Sequence, residues 1–409
     1  MKSFTTLYKG FSLTQVLEEI DRYSMHWIIK RLSGNDTGLT GGHQSGVYYP
    51  KTFFEYAFPE ILTTAVRNPT LSIKECYFPD FDHTIHDLHV KYYNNKFFGG
   101  TRNELRITNW GGKCSPTQDI EQTGAIFLFA VLRTEQGFQA IAWIAQSLAE
   151  EELIEAWLGE EVDPKRFYQP IAKKRANMEM RIPESWFDQF PSGNEIFQHI
   201  VQAIPREDWS GSLDELLLKR RDLEYRIYQQ IETKNILPII RQGFDSVEHF
   251  MKLALSVANR RKSRGGKSLE LNLEHIFQDE KLYFQTQQQT EHGKKPDFLF
   301  PSAKAYHTPD FPEKHLHLVA AKTTCKDRWR QVIDEADRIR VKHLFTLQEG
   351  VSSRQMKQME ESHIQLVVPE PYLKSYPKEW RSKILTLEKL TKMIRNDQAN
   401  ISNIHQWIA

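Results

Sequence analysis

The chain has 409 residues and nearly balanced charge, with 54 Lys and Arg against 53 Asp and Glu and a formal net charge of +1 at pH 7. This length exceeds one average domain and predicts two, each large enough to bury its own core. The balance excludes a protein that is basic throughout, so any nucleic-acid-binding surface is expected to be local.

Cysteine content and hydropathy indicate the compartment. The three cysteines, Cys76, Cys114 and Cys325, are too few and too scattered for a disulfide framework or a zinc site, which indicates a reducing environment. No apolar run is long enough to cross a bilayer, and the N-terminus lacks the apolar core of a signal peptide. We expect a soluble cytoplasmic protein.

The first third of the chain is predicted to be mostly β. Aromatic-rich runs such as FFEYAFPEI (53–61) and GAIFLFAVL (124–132) are bounded by turn residues, which is typical of strands. An acidic helical segment follows, and then a mixed stretch without a clear period. We predict a linker at residues 166–182 between domains that span 1–165 and 183–409.

The second domain is predicted to be α/β. Apolar residues three and four apart predict helices over 213–240 and 246–262. The elements predicted next are a helix at 268–279, strands at 282–287, 296–300 and 315–323, a helix at 327–340 and a strand at 343–347. This α-β-β-β-α-β order is that of the PD-(D/E)xK nuclease core. A strand from Ile364 and a helix from Leu385 close the chain.

Three residues of this core predict a magnesium-dependent nuclease. Asp297 follows a proline on a hydrophobic strand, Lys322 lies on a later strand, and Glu335 falls on the helix after it. Cutting a phosphodiester needs carboxylates that hold a hard divalent cation, and a positive group beside the attacking water. Asp297 and Glu335 are the predicted Mg²⁺ ligands, and Lys322 is the positive group. A second Pro-Asp pair, at Asp310, is flanked by prolines and is predicted to be a turn.

The motif departs from its usual form at one position. An acidic residue usually stands two before the lysine, but this chain has Ala320 there. Glu335 can replace that acid, because a long side chain on the following helix can reach the same metal. Taken alone, Glu335 is better explained as a surface acid that pairs with Arg338 or Arg340. The presence of the other two predicted catalytic residues favours the metal ligand.

Two further acids and one tyrosine are candidates for the site. Glu270 and Glu274 lie one turn apart on one helix face, and Glu270 is preferred for contact with a metal-bound water or a phosphate because it is closer to an entrance at Gly265-Gly266. An acid placed favourably near a helix start is the alternative. Tyr306 could be a nucleophile, but packing is favoured because a metal-activated water needs no tyrosine.

Longer segments of the sequence resemble a known family more specifically than the short motif does. Those similar to the catalytic domain of EcoRII-type restriction endonucleases are ANRRKSRGGKSLELNLEHIF (258–277), KKPDFLFPSAKAYH (294–307), KTTCKDRWRQV (322–332) and HLFTLQEGVS (343–352). In the first domain, KRLSGNDTGLTGGHQSGVY (30–48) and GTRNELRITNWG (100–111) resemble the effector-binding domain of the same family.

The resemblance implies a bacterial, homodimeric type IIE restriction endonuclease that cuts a CCWGG-type site, with W meaning A or T, in the presence of Mg²⁺. A CCNGG-like site stays open. The expected partner is double-stranded DNA at two or more sites, since a copy bound at the first domain would activate cleavage allosterically. A cognate DNA methyltransferase is implied but need not bind. The family's catalytic residues fall on Asp297, Lys322, Glu335 and Glu270.

The resemblance also assigns DNA contacts in the catalytic domain. The triplet Lys326, Asp327 and Arg328 matches the base-reading residues of related enzymes, in which Lys and Arg donate to guanine and Asp accepts from cytosine. Arg221 and Tyr225 match the residues that receive the flipped central base. Three solvated charges at a helix start are the alternative explanation of the triplet.

The first domain resembles a DNA-binding pseudobarrel that some plant transcription factors share. Its two DNA-contacting loops would carry His43 and Tyr48 on one side and Arg102, Glu104 and Arg106 on the other. Gly99-Gly100 stands where the family pattern has a basic residue, so Lys96 would have to substitute. An ordinary solvated strand is the alternative explanation of these charges.

Two DNA-binding domains in one chain imply linkage between them. We expect the first domain to cover the catalytic cleft until it binds DNA. Two other functions stay open. A DNA-binding regulator without activity would leave the predicted catalytic residues without a purpose, whereas a structure-specific repair nuclease would use the same core.

Overall fold

The computed structural model describes residues 4–41, 46–135, 137–170, 182–326 and 328–408. Its strands form one six-stranded and one five-stranded sheet. The first sheet lies in the N-terminal half of the chain and the second in the C-terminal half, as expected for two domains. Of the predicted site residues, His43 and Asp327 lie outside the described residues.

The N-terminal sheet has the order β1-β5-β6-β2-β3-β4, and all neighbouring pairs are antiparallel except β2 and β6. Its strands are β1 (His26–Arg31), β2 (Thr70–Phe78), β3 (His83–Tyr93), β4 (Glu104–Thr108), β5 (Ile126–Thr134) and β6 (Gly137–Ile144). The helices of this half are α1 (Phe4–Tyr8), α2 (Leu13–Arg22), α3 (Lys51–Ala57) and α4 (Leu148–Leu158).

Strand β5 explains why this sheet carries two cores. Phe127 and Phe129 join a core with α3, whereas Ile126 and Leu128 point to the other side and join a core with α1 and α2. Side chains alternate across a strand, so an apolar run buries both faces. Burial of each of these side chains stabilises the fold by about 1.5–3 kcal/mol relative to leaving it exposed to water.

The C-terminal half begins with helices. They are α5 (Ser185–Asp188), α6 (Gly193–Ala203), α7 (Leu213–Gln242) and α8 (Val247–Asp279). Ser212 caps α7 through a capping box with Glu215, which satisfies amides at the helix start. The helix predicted over 268–279 is the end of α8. Gly265-Gly266 therefore lies inside this helix and not ahead of one.

The C-terminal sheet has the order β11-β10-β9-β8-β7. Strands β9, β10 and β11 run parallel, and β7 and β8 are antiparallel additions. The strands are β7 (Gln285–Thr286), β8 (Phe298–Phe300), β9 (His317–Lys322), β10 (Lys342–Thr346) and β11 (Ile364–Val367). The remaining helices are α9 (Ala303–His307), α10 (Ser353–Glu361), α11 (Leu387–Ala399) and α12 (His405–Ile408).

The helix predicted over 327–340 is the main correction. Among the described residues there, only Arg328–Val332 is helical, as a five-residue 3-10 helix, and turns follow. Ala336 has a φ of +52°, a conformation that ends a right-handed helix. Arg338 then donates to the carbonyls of Tyr306, Thr308 and Phe311. These tertiary bonds override the local helical pattern.

The hydropathy of the helices bears on whether any of them could span a membrane. Within the described ranges, no helix is both long enough and apolar enough to cross a membrane.

Candidate active site and DNA-contact residues

Asp297 and Lys322 meet at the end of two paired strands. Asp297 stands just before β8, and Lys322 is the last residue of β9. Strands β8 and β9 are antiparallel neighbours, so the two side chains reach the same sheet edge. Asp297 Oδ2 accepts hydrogen bonds from the Ala321 amide at 2.8 Å and from Lys322 Nζ at 3.2 Å. Gln287 Nε2 donates to the other oxygen, Oδ1, at 3.1 Å.

Glu335 faces this pair from the turn that follows the 3-10 helix. Burial raises the pKa of its carboxyl to about 7; the nearby charge of Asp297 adds to the shift and Lys322 opposes it. Its Oε2 is buried and has no hydrogen-bond partner among the described residues. A buried oxygen that lacks a donor is costly and favours a further ligand. Arg338, the alternative partner from the sequence, is instead 3.7 Å from Glu313.

Glu270 reaches the same cluster from α8. Burial raises its pKa, and the charge of Asp297 contributes next. Lys267 Nζ lies 3.5 Å from its carboxylate. Because α8 begins at Val247, Glu270 is not an acid at a helix start. Its neighbour Glu274 lines a separate open cavity of about 500 Å³, so the two acids face different environments.

The cluster combines acids and a lysine at one sheet edge. No group of three or more His, Cys, Asp or Glu in the described ranges is arranged to hold a metal ion. The acids that fit a hard cation are Asp297, whose Oδ1 faces a neutral amide donor, and Glu335, whose Oε2 lacks a partner. Asp310 is exposed on a turn and Tyr306 is fully buried, as expected for a turn residue and a packing residue.

The base-reading segment starts four residues after Lys322. Lys326 and Arg328 are half-buried. The Lys326 amide donates to Gln348 Oε1 at 2.9 Å, and its Nζ lies 3.5 Å from Gln122 Oε1 in the N-terminal half. Through this second contact, the N-terminal half of the molecule touches the segment.

Arg221 and Tyr225 are buried rather than open to a ligand. Their exposed fractions are 5% and 3%. Asp163 Oδ1 lies 3.6 Å from Arg221 Nη2. The guanidinium of Arg166 stacks 3.5 Å from the Tyr225 ring centre, and that of Arg264 lies at 4.6 Å. Residues 160–168, here called the covering segment, therefore lie over the face that was predicted to receive a base.

Asp163 is the charged centre of the covering segment. Although burial favours its neutral form, the guanidiniums of Arg221, Arg166 and Arg264 hold the pKa of its carboxyl below the ordinary value. The segment is tied to the N-terminal sheet, because Tyr168 exchanges two backbone hydrogen bonds of 2.9 Å with Ile29. No motif in the sequence marked Asp163, since it lies in a stretch without periodicity.

Other contacts join the two halves. Lys165 Nζ lies 3.1 Å from Glu349 and 3.7 Å from the centre of the Tyr372 ring. Ser352 Oγ donates to Glu121 at 2.9 Å, and the Gly34 amide donates to the Glu349 carbonyl at 3.0 Å.

The predicted effector residues lie around an open cleft. A cavity of about 390 Å³ is lined by Tyr48, Glu104 and Arg106. Glu104 and Arg106 lie on one face of β4, and Arg106 Nε donates to Glu104 at 2.7 Å. Arg102 precedes the strand and is 3.7 Å from the same carboxylate. Tyr48 has 59% of its surface exposed, so this cleft is open to a large partner.

Comparison with known proteins identifies the class. The EcoRII C-terminal family model matches residues 228–391, and the model of the restriction endonuclease EcoRII N-terminal domain matches residues 22–174. The chain is 45% identical over 372 residues to the type II restriction enzyme EcoRII of Escherichia coli, covering 88% of this chain and 91% of that enzyme. It is 28% identical over 152 residues to the type II restriction enzyme SsoII of Shigella sonnei, covering 35% and 48%.

Solved structures of restriction endonucleases bound to DNA are among the similar ones. One of them is metal-depleted Ecl18kI in complex with uncleaved, modified DNA, with a TM-score of 0.45 and 20% identity, covering 53% of this chain and 82% of that chain.

These matches define a type II restriction endonuclease, which is an enzyme that hydrolyses DNA at specific sites. The chain belongs to the EcoRII family. The sequence-based expectations of an EcoRII-type chain and of a site-specific deoxyribonuclease are therefore confirmed.

Proposed function

We propose that this chain cleaves a CCWGG-type site with Mg²⁺, and that a second site bound at the N-terminal domain activates it. The convergence of Asp297, Lys322 and Glu335 is the observation that carries the catalytic part. We place the domains at 1–165 and 183–409 with a linker between them. The N-terminal sheet is proposed to act as the DNA-binding pseudobarrel and the C-terminal sheet as a PD-(D/E)xK core.

The proposed chemistry is hydrolysis by an attacking water. When bound to Asp297 and Glu335, Mg²⁺ would neutralise charge on the scissile phosphate and acidify the water. Lys322 is held by Asp297 at 3.2 Å, and it would donate to the attacking water or a phosphate oxygen. Glu335 must first lose its proton, because only the carboxylate is a ligand. Glu270, beside Asp297, would accept from a metal-bound water.

Sequence recognition is proposed for the triplet Lys326, Asp327 and Arg328. Its donors suit guanine O6 and N7, and its carboxylate suits cytosine N4. Arg221 and Tyr225 would stack on and bond the central base after it leaves the helix, which tolerates A or T there. Family membership, together with these residues, supports the proposal of a CCWGG-type site.

Effector binding is proposed for the cleft of the N-terminal domain. Tyr48 and Arg102 are exposed, and Glu104 and Arg106 line the cavity. Together with His43, these groups would contact bases and phosphates of a second CCWGG-type site.

Regulation is proposed to work through the covering segment. Arg221 and Tyr225 cannot receive a base while Asp163 and Arg166 lie on them. DNA bound at the effector cleft would favour a conformation in which the segment has moved, provided that it binds that state more tightly. This differential affinity is what an allosteric effect requires.

A homodimer is proposed because two strands of a pseudopalindrome need two catalytic centres. The connection between α7 and α8 supplies a candidate surface, and we call it the hairpin tip. Its exposed apolar side chains are Leu237, Ile240, Val247, Phe250, Met251 and Leu255. An apolar patch of this kind commonly marks an interface. The cognate methyltransferase would act on the same DNA without binding this chain.

The test is plasmid cleavage. Purified protein, Mg²⁺ and a plasmid with several CCWGG sites should give discrete fragments, and sequencing their ends gives the site and the cut position. A chelator should stop the reaction. Nicks at branched structures would indicate a repair nuclease instead, and DNA binding without any cut would indicate a regulator.

A further inference from the structure

Gln348 holds the backbone of the base-reading segment. It follows β10 and is fully buried. Its side-chain oxygen accepts hydrogen bonds from two successive amides, that of Cys325 at 2.8 Å and that of Lys326 at 2.9 Å. An amide oxygen has two acceptor positions, and here one accepts from the residue before the triplet and the other from the first residue of the triplet.

The remaining groups of Gln348 are fixed as well. Its Nε2 donates to the Gly350 carbonyl at 2.9 Å, and its backbone amide donates to Thr346 Oγ1 at 3.3 Å. The hydroxyl of Tyr376 donates to the Gln348 carbonyl at 2.7 Å. With both ends of its amide bonded, the side chain has one orientation, so it can serve as a rigid support.

The effector domain reaches this support directly. A Cβ placed on Gly124 would lie 2.4 Å from Gln348 Nε2, and the φ of Gly124 is +89°. Only glycine allows so close an approach in this conformation. A Cβ on Gly350 would lie 2.9 Å from Thr123 Cγ2. Residues 123–124 of the N-terminal half therefore lie directly against the support of the base-reading segment.

We propose that Gln348 is a positioning residue for sequence discrimination, acting through the Cys325 and Lys326 amides. The inference rests on the proposed role of the triplet in reading bases. A base contact discriminates only when its donor is held in place, and groups on loops need such support more than groups on strands. Without Gln348, the triplet can shift and accept a wrong base pair.

The experiment compares full-length variants on short duplexes. Gln348→Met removes both acceptor bonds at similar volume, whereas Gln348→Glu keeps an oxygen for the two amides. The readout is the ratio of cleavage rates on a CCWGG duplex and on duplexes with one outer base pair changed, in the presence of an excess of activating CCWGG duplex. We expect Gln348→Met to lower this ratio by about tenfold, the discrimination of roughly one base pair, and Gln348→Glu to recover most of it.

A matched control separates discrimination from stability. Gln398 is also a buried glutamine, and it bonds the amide and the carbonyl of Tyr283 at 3.0 and 2.7 Å. Gln398→Met should lower the melting temperature without changing the ratio. If Gln348→Met does not fold by circular dichroism, Gln348→Asn replaces it, because its shorter amide cannot reach both donors.

The outcomes are separable. An unchanged ratio in a folded Gln348→Met or Gln348→Asn variant overturns the inference, as does an equal fall in Gln398→Met. Lys326→Ala tests the proposed role of the triplet in reading bases. If Lys326→Ala leaves the ratio of cleavage rates unchanged, the proposed role of the triplet is wrong. If the ratio falls in Lys326→Ala but not in Gln348→Met, only the proposed role of Gln348 is wrong.

Discussion

The two surfaces predicted to contact DNA differ in accessibility. In the N-terminal domain, Tyr48 is 59% exposed and the Arg102 side chain is 67% exposed. In the C-terminal half, Arg221 and Tyr225 are 5% and 3% exposed, and the covering segment lies against both of them. Under the proposed roles, the N-terminal surface would receive DNA as it stands, whereas the C-terminal one would first have to be uncovered. The proposed order of binding therefore begins at the N-terminal site.

The largest effect should come from the catalytic cluster. Lys322→Ala removes the positive group that is proposed to lie beside the attacking water, and it should lower the cleavage rate by on the order of 10³-fold or more. Single-turnover cleavage measures the loss, and a gel-shift assay shows whether effector DNA still binds. The exposed Lys314 provides the control, since Lys314→Ala should keep full activity. A Lys322→Ala enzyme that still cuts would remove the catalytic assignment.

Deletion of residues 1–182 should leave the C-terminal surface uncovered. It removes the covering segment, so cleavage of DNA with a single site should rise roughly 5- to 150-fold, the range of common allosteric couplings. The fragment is first checked for folding by circular dichroism. Unchanged or lost activity in a folded fragment would count against a covering role.

Substitution of Arg102 tests the exposed surface of the N-terminal domain. Arg102→Ala should weaken binding of a second duplex by roughly 5- to 150-fold if the arginine contacts a base bidentately, and stimulation by that duplex should fall in parallel. Arg133→Ala, which changes an exposed arginine paired with Glu60 at 3.3 Å, is the matched control. A salt titration distinguishes the contacts, because loss of a phosphate contact lowers the salt slope by about one.

A smaller effect is expected from Asp163→Asn. The change removes the charge that Arg221, Arg166 and Arg264 share, so the covering segment should release more easily and single-site cleavage should rise by a few-fold. The melting temperature should fall at the same time. A fall in stability with no gain in cleavage would show that Asp163 only stabilises the fold.

A pH dependence is also expected on the catalytic side. Burial, with the charge of Asp297, raises the pKa of Glu335 to about 7, and a metal ligand must be ionised. The Mg²⁺ concentration for half-maximal cleavage should therefore fall roughly tenfold between about pH 6 and about pH 8. In Glu335→Gln this pH dependence should disappear together with most activity. The same dependence in Glu335→Gln would assign it to another group.

The raised pKa of Glu335 also fixes the direction in which the stability of the metal-free fold changes with pH. The pKa of Glu335 in the fold lies above its ordinary value of 4.5. The metal-free fold is therefore favoured below about pH 4.5 and loses this contribution as the pH rises towards about 7. Thermal unfolding of wild type and Glu335→Gln across this range measures the difference.

Much of the fold could be predicted from local patterns. Helices α7, α8 and α11, and the positions of strands β8 to β11 along the chain, follow from apolar spacing and length. The predicted helix over 327–340 was wrong because Arg338 bonds three carbonyls of another segment, and such tertiary contacts leave no local signal. Asp297, Lys322 and Glu335 could be named because their residue types and order have a chemical reason.

The interface between the two halves could not be predicted. Asp163 and Gln348 act through contacts with residues far away in sequence, such as Arg221 and Cys325. Neither residue stands in a motif, and a charge or an amide in an aperiodic stretch has many explanations. Only the arrangement in space distinguishes them from ordinary surface groups.

The backbone bridge between Tyr168 and Ile29 has a consequence for a cut chain. A protease nick at the start of the second domain, near residue 182, would leave the covering segment attached to the N-terminal sheet, with Asp163 still at Arg221. The two pieces would then be held together only by their own affinity, without the high effective concentration that a tether provides. Nicked enzyme would become active on dilution, whereas the intact chain would not.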